Sequence, residues 1–149
     1  MKRIVLLLLV AASMGGLTLS AQTVNSLENG KYSLSVGDVT LTVNALRGGK
    51  IVSYKYKDTE ILSQTRMPNS FGSTFWTSPQ SEWNWPPVPE YDTKPFNAEV
   101  TDGKLVLTGE KSKRFGYKVR KEFVADTKDN AIVITYTLVN ESGETRKVA

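Results

Sequence analysis

From residue 31 onward, apolar and polar positions alternate in short runs broken by turn residues. That is the period of strands with one face buried. The runs at 31–36 and 39–45 flank Gly37-Asp38, a two-residue hairpin signal. The run at 51–57 puts Val52, Tyr54 and Tyr56 on one expected face, and Asp58-Thr59 turns it into a short strand at 60–62. Runs at 96–101 and 104–108 flank Asp102-Gly103, a second hairpin signal. At 117–125, Tyr117, Val119 and Phe123 face inward and Lys121 interrupts them. At 131–140, Ile132, Ile134, Tyr136 and Leu138 face inward, while Val133, Thr135, Thr137 and Val139 share the other face. A strand this apolar on both sides is expected at the centre of a covered sheet. No helix of ordinary length is predicted after residue 21. The pattern predicts an all-β fold, an antiparallel β-sandwich. Residues 144–149 read as the opening of a further strand. The chain is therefore expected to be the N-terminal portion of a longer domain, incomplete at its C-terminus.

One segment departs from this pattern. All six prolines and all three tryptophans lie between Pro68 and Pro95. Function collects in loops held by a strand scaffold, so residues 66–96 are the expected binding surface. Trp76, Trp83 and Trp85 offer flat apolar faces for the C–H faces of sugar rings. Arg66, Gln80, Glu82 and Tyr91 are the expected ligand-binding partners beside them, with Asn84, Glu90 and Asp92 nearby. Apolar walls with a few placed polar groups are how small polar ligands are held, and prolines pre-set the loop. The expectation is geometric: the three indoles point outward as one platform. The competing reading folds the tryptophans back as satellite core over the end of the sheet. A third reading docks Pro86-Pro87-Val88-Pro89 on a protein partner. Glu82, Glu90 and Asp92 are candidates for a glycosidase-like pair or calcium ligands, but no recognised spacing supports either.

Composition narrows the partners. Residues 1–21 begin with Lys2 and Arg3, continue apolar through 4–12 and end Leu19-Ser20-Ala21. This reads as a secretory signal peptide cleaved near Ala21, leaving a β-sandwich domain at 22–149 that is periplasmic or extracellular. The apolar stretch is too short for a membrane span. Removing it lowers the net charge from +4 to about +2. That is too little to point to nucleic acid or an anionic membrane. The chain has no cysteine, so it carries neither a lipid anchor nor a disulfide, and no histidine, the commonest general base and metal ligand. No cofactor, metal or nucleophile motif is present. The basic run Lys111, Lys113, Arg114, Lys118, Arg120 and Lys121 reads as a solvated strand edge, and Lys121 is a candidate for reaching into a site.

Gly48-Gly49-Lys50-Ile51-Val52-Ser53 followed by Glu60-Ile61-Leu62 resembles the opening of galactose mutarotase-like (aldose 1-epimerase-like) domains. Gly72-Ser73-Thr74-Phe75-Trp76-Thr77-Ser78-Pro79-Gln80 with Trp83 resembles the loop after those strands in secreted bacterial members of unassigned function. Thr135-Tyr136-Thr137-Leu138-Val139-Asn140-Glu141-Ser142 resembles a strand and turn before the middle of such a domain. The resemblance covers roughly residues 31–149. It implies an antiparallel β-supersandwich with carbohydrate on a concave face. It transfers no catalytic residue, because the family's histidine acid and glutamate base fall beyond the matched region. Three functions follow as expectations. The first is a secreted carbohydrate-binding or carbohydrate-handling domain. The second is a sugar epimerase whose catalytic residues lie beyond residue 149. The third is a structural or protein-interaction domain of the cell envelope.

Overall fold

A computed structural model of the chain describes residues 24–64, 66–67 and 71–148. The export segment expected at 1–21, Pro68, and the last residue of the strand expected at 144–149 lie outside the described residues. Among the described residues, two antiparallel sheets account for nearly all the regular structure. The first sheet is a five-stranded meander of β1 (Val24–Ser26), β2 (Lys31–Val36), β3 (Val39–Asn44), β4 (Lys50–Tyr56) and β5 (Thr59–Glu60). The second is a four-stranded meander of β6 (Asn97–Thr101), β7 (Lys104–Thr108), β8 (Tyr117–Asp126) and β9 (Ala131–Asn140). β2 packs across to β8 and β9, so the two meanders lie face to face as a sandwich. No helix among the described residues is long and apolar enough to cross a membrane.

Both hairpin signals form. Val36 pairs with Val39 around Gly37-Asp38, and Thr101 pairs with Lys104 around Asp102-Gly103. Asp102 and Gly103 both take positive φ, +50° and +72°, as a tight two-residue turn requires. The core runs between the sheets through Leu34, Leu41, Val43, Leu105, Leu107, Val119 and Phe123, all nearly inaccessible.

Four expectations change. In β4, Val43 pairs with Ile51 but Thr42 pairs with Ser53, so Val52 is an extra residue. This bulge sets Ile51 and Tyr54 on the face of Val43 and Leu41, and Val52 leaves the face it was expected to share with Tyr54. Among the described residues β9 lies at the sheet edge, paired to β8 alone, and not at its centre. Its inward Ile132, Ile134 and Leu138 pack on the core while Val133 stands 46% exposed. Up to Val148, residues 144–148 form no strand. Finally, β8 is paired on both sides, so Lys118 and Arg120 do not guard an edge. They line its outer face and pair with Glu141 and Glu122. β1 was not foreseen; three residues are too few to show a period.

Residues 61–96 are the crossover from the first sheet to the second. Among its described residues, a single 3-10 turn (Gln80–Glu82) and a four-residue helix, α1 (Pro89–Asp92), are the only regular pieces. Its return is pinned to the β3–β4 turn. The Gly48 amide donates to the Lys94 carbonyl at 2.9 Å, and the Phe96 amide to the Ala45 carbonyl at 2.8 Å. Gly48 has φ +64°, and a Cβ there would stand 1.9 Å from the Asp92 carbonyl oxygen. Gly48→Ala is therefore expected to cost roughly 2–4 kcal/mol, from left-handed backbone strain plus overpacking. Gly143→Ala, with φ +78° but nothing within 4 Å, is expected to cost only about 1 kcal/mol. Urea unfolding of the two variants measures the contrast.

Candidate functional site: an aromatic cleft on the crossover

The three tryptophans gather, but they do not share one role. Trp83 is 5% exposed, and its indole N–H donates to the Thr77 carbonyl at 2.8 Å. Trp76 and Trp85 are 46% and 70% exposed. Trp76 meets Trp83 edge-on at 5.8 Å between ring centroids, and meets Trp85 edge-on at 6.0 Å. Such edge contacts are favoured by the ring quadrupoles. The buried indole is thus a foundation, Trp76 stands on it and Trp85 on Trp76. The expected common platform is corrected in this respect: Trp83 is buried and does not point outward with the other two. Trp83, Val88 and Tyr91 join the sandwich core, as the satellite-core reading expects, while Trp76 and Trp85 stay outside it.

A second segment completes the site. The loop between β7 and β8 brings Arg114 against the crossover, where its guanidinium donates to the Trp83 carbonyl at 3.3 Å and to the Glu82 carbonyl. The guanidinium also lies over the Phe115 ring at 4.9 Å. Between the two segments is a cleft of about 360 Å³. Trp83, Trp85 and the prolines 86, 87 and 89 form its apolar wall, and Glu90, Ser112, Lys113 and Arg114 its polar one. Ser112 is 1% exposed, and its hydroxyl has no hydrogen-bond partner. It sits near the buried Tyr91 hydroxyl without meeting hydrogen-bond geometry. Burial pushes the Tyr91 pKa to about 12, and Ser112 pulls slightly the other way. Glu90 is held by Lys94 at 2.9 Å, and Lys94 also reaches Glu110 at 3.2 Å.

The other expected residues are dispersed. Gln80 and Glu82 are exposed on the 3-10 turn, and their main-chain carbonyls carry its bonding: Gln80 accepts from the Trp83 and Asn84 amides, and Glu82 from Arg114. Arg66 lines a separate cleft with Leu62, Ser63, Met67 and Phe71. Tyr91 is a core residue, 1% exposed, with its hydroxyl 3.5 Å from the Tyr117 carbonyl. Of the three carboxylates, Glu90 faces Lys94, Asp92 faces Lys50 and Glu82 is exposed, so each has its own setting. Sequence reasoning missed Ser112, Lys113 and Arg114 as site residues. The signal in the sequence is the basic run itself, whose members at 113 and 114 lie in the β7–β8 loop and not on a strand edge.

Beneath the crossover lies a buried ionic cluster. Lys50 Nζ is 3.0 Å from Asp92 Oδ1, both side chains nearly inaccessible. That separation is an ion pair outside hydrogen-bond angles, so this oxygen has no hydrogen-bond donor. Lys121, expected to reach into a site, instead reaches across the sandwich. Its ammonium donates to the Gly48 carbonyl at 2.7 Å and the Gly49 carbonyl at 3.3 Å, between the rings of Phe96 and Tyr136 at 5.0 and 5.3 Å. Burial lowers its pKa to about 8, with Asp92 opposing and Lys50 assisting. A larger cleft of about 520 Å³ opens between the sheets, lined by Leu41, Ile51, Tyr54, Ile132 and Ile134 among others. It is mainly apolar and has few groups to orient a polyol, so the smaller polar-walled cleft is the better candidate for a sugar. Comparison with protein-family models, with curated proteins and with solved structures finds no match for the chain.

Two outcomes test this arrangement. Trp83→Ala is expected to cost roughly 3–5 kcal/mol in chemical unfolding, whereas Trp85→Ala stays within about 0.5 kcal/mol of the parent. Second, Lys121 in the unfolded chain keeps its proton to about pH 10.4 but in the fold only to about 8. Between those values the unfolded state binds more protons, so stability rises with pH. Above about 10, Tyr91 and Tyr136, whose pKa values burial raises, keep their protons longer when folded, and stability falls. Thermal melts should peak near pH 10 and lose the rise above pH 8 in Lys121→Met.

Proposed function

We propose that the protein is a secreted carbohydrate-binding domain whose site is the cleft between the tryptophan crossover and the β7–β8 loop. One observation carries the reading. An indole 70% exposed, Trp85, is braced edge-on by a second indole beside a cleft with an unpartnered buried hydroxyl and a fixed guanidinium. A pyranose presents an apolar C–H face for the ring and hydroxyls for Ser112, Glu90 and Arg114. The ligand finds rigid walls, because Trp83 is anchored in the core and the proline run closes one side. Export by residues 1–21 belongs to this proposal, since glycans are abundant outside the cytoplasm. The resemblance to mutarotase-like domains supports a sugar as ligand and agrees with a two-sheet antiparallel scaffold. It implies a ligand on a concave sheet face, whereas the cleft proposed here lies on the crossover. No catalytic residue is assigned.

Calorimetry and tryptophan fluorescence across a panel of mono- and oligosaccharides test the proposal. Binding is expected to perturb indole emission. Trp85→Ala should weaken affinity by about 1–2 kcal/mol, roughly 5- to 30-fold in Kd. A folded protein indifferent to every glycan in the panel overturns it.

A further inference from the structure

Resting on that reading, we infer that the preferred ligand is an acidic sugar, a hexuronate unit whose carboxylate meets Lys113 and Arg114 while its ring lies on Trp85. The cleft lining holds two cations, Lys113 and Arg114, and one carboxylate, Glu90. That carboxylate is paired with Lys94, which Glu110 shares. Lys113 is exposed and makes no ion pair among the described residues. Arg114 is oriented by two carbonyls of the tryptophan segment, so its charge is held beside the indoles. A guanidinium fixed in this way suits a planar carboxylate better than a lone hydroxyl does. Ser112 adds the independent sign of a ligand: a residue of the cleft lining, 1% exposed, whose hydroxyl has no hydrogen-bond partner among the described residues. Buried hydroxyls are rarely left unpaired, and a ligand oxygen would satisfy this one. A neutral sugar uses the indole and the hydroxyl but leaves the cation pair unused. A uronate uses all three.

The experiment is calorimetry with an oligogalacturonate and its fully methyl-esterified form, which keep one ring geometry and differ in charge. The free acid is expected to bind at least ~10-fold tighter at low salt, and that ratio should shrink as ionic strength rises past the range where the Debye length is about 10 Å. Lys113→Gln should cost the free acid several-fold in affinity and leave the ester unchanged. Ser112→Ala should weaken both. An ester that binds as tightly as the acid, with Trp85→Ala still weakening both, overturns the acidic preference and leaves the carbohydrate reading standing. Binding of the acid that ignores Trp85→Ala places the contact elsewhere and overturns the inference. No response to either form or to any neutral glycan removes both readings together.

Discussion

The structure depends on charge placed where a sandwich normally has only hydrocarbon. Lys50 and Asp92 pair at 3.0 Å, and the Lys121 ammonium reaches from the second sheet to the Gly48 and Gly49 carbonyls in the β3–β4 turn of the first. Taking such groups from water is costly, and their mutual attraction offsets it only with good geometry. What the cluster contributes is position. Lys50 begins β4, Asp92 ends α1 and Lys121 is central in β8, so one set of contacts registers both sheets and the crossover. A hydrocarbon core would hold the sheets together without setting where the crossover re-enters. Gly48 is the steric counterpart, since the Asp92 carbonyl occupies the space a side chain would fill.

The tryptophans depend on that registration. Trp83, Val88 and Tyr91 are the crossover's inward anchors; Trp76 rests on the first of them and Trp85 on Trp76. Trp83 ties to Thr77 through its indole nitrogen, and Arg114 ties the same segment to the second sheet through main-chain carbonyls. A connection with hardly any regular structure among its described residues is thereby braced internally and tied to the β7–β8 loop.

The strands were legible because alternation with period two is a local signal. β2, β7 and β9 occupy the residues their patterns predicted, and both hairpins sit at the Gly-Asp and Asp-Gly pairs. What alternation does not carry is where a strand lies in its sheet. β9 has apolar residues on both faces and is expected at the centre, yet among the described residues it pairs only with β8. The Val52 bulge was equally hidden, because it arises from pairing with β3 and not from the composition of β4. Of the site, the tryptophan segment was readable from composition alone. Which indole is buried was not, because three like residues separated by a few positions differ only in what the fold brings to them. Ser112, Lys113 and Arg114 belong to a loop some thirty residues further on, and nothing local marks them as neighbours of Trp83.

β9 has a consequence outside the cleft. Its ten residues, Ala131–Asn140, contain no charge and no proline, and among the described residues one side of it has no neighbouring strand. Strand margins are ordinarily blunted by lysine, proline, a bulge or brevity; β1 and β5 use brevity, with three and two residues. β9 uses none of these. Its free row of amides and carbonyls is a template on which an extended peptide gains main-chain hydrogen bonds without like-charge repulsion, a route to self-association separate from the aromatic cleft.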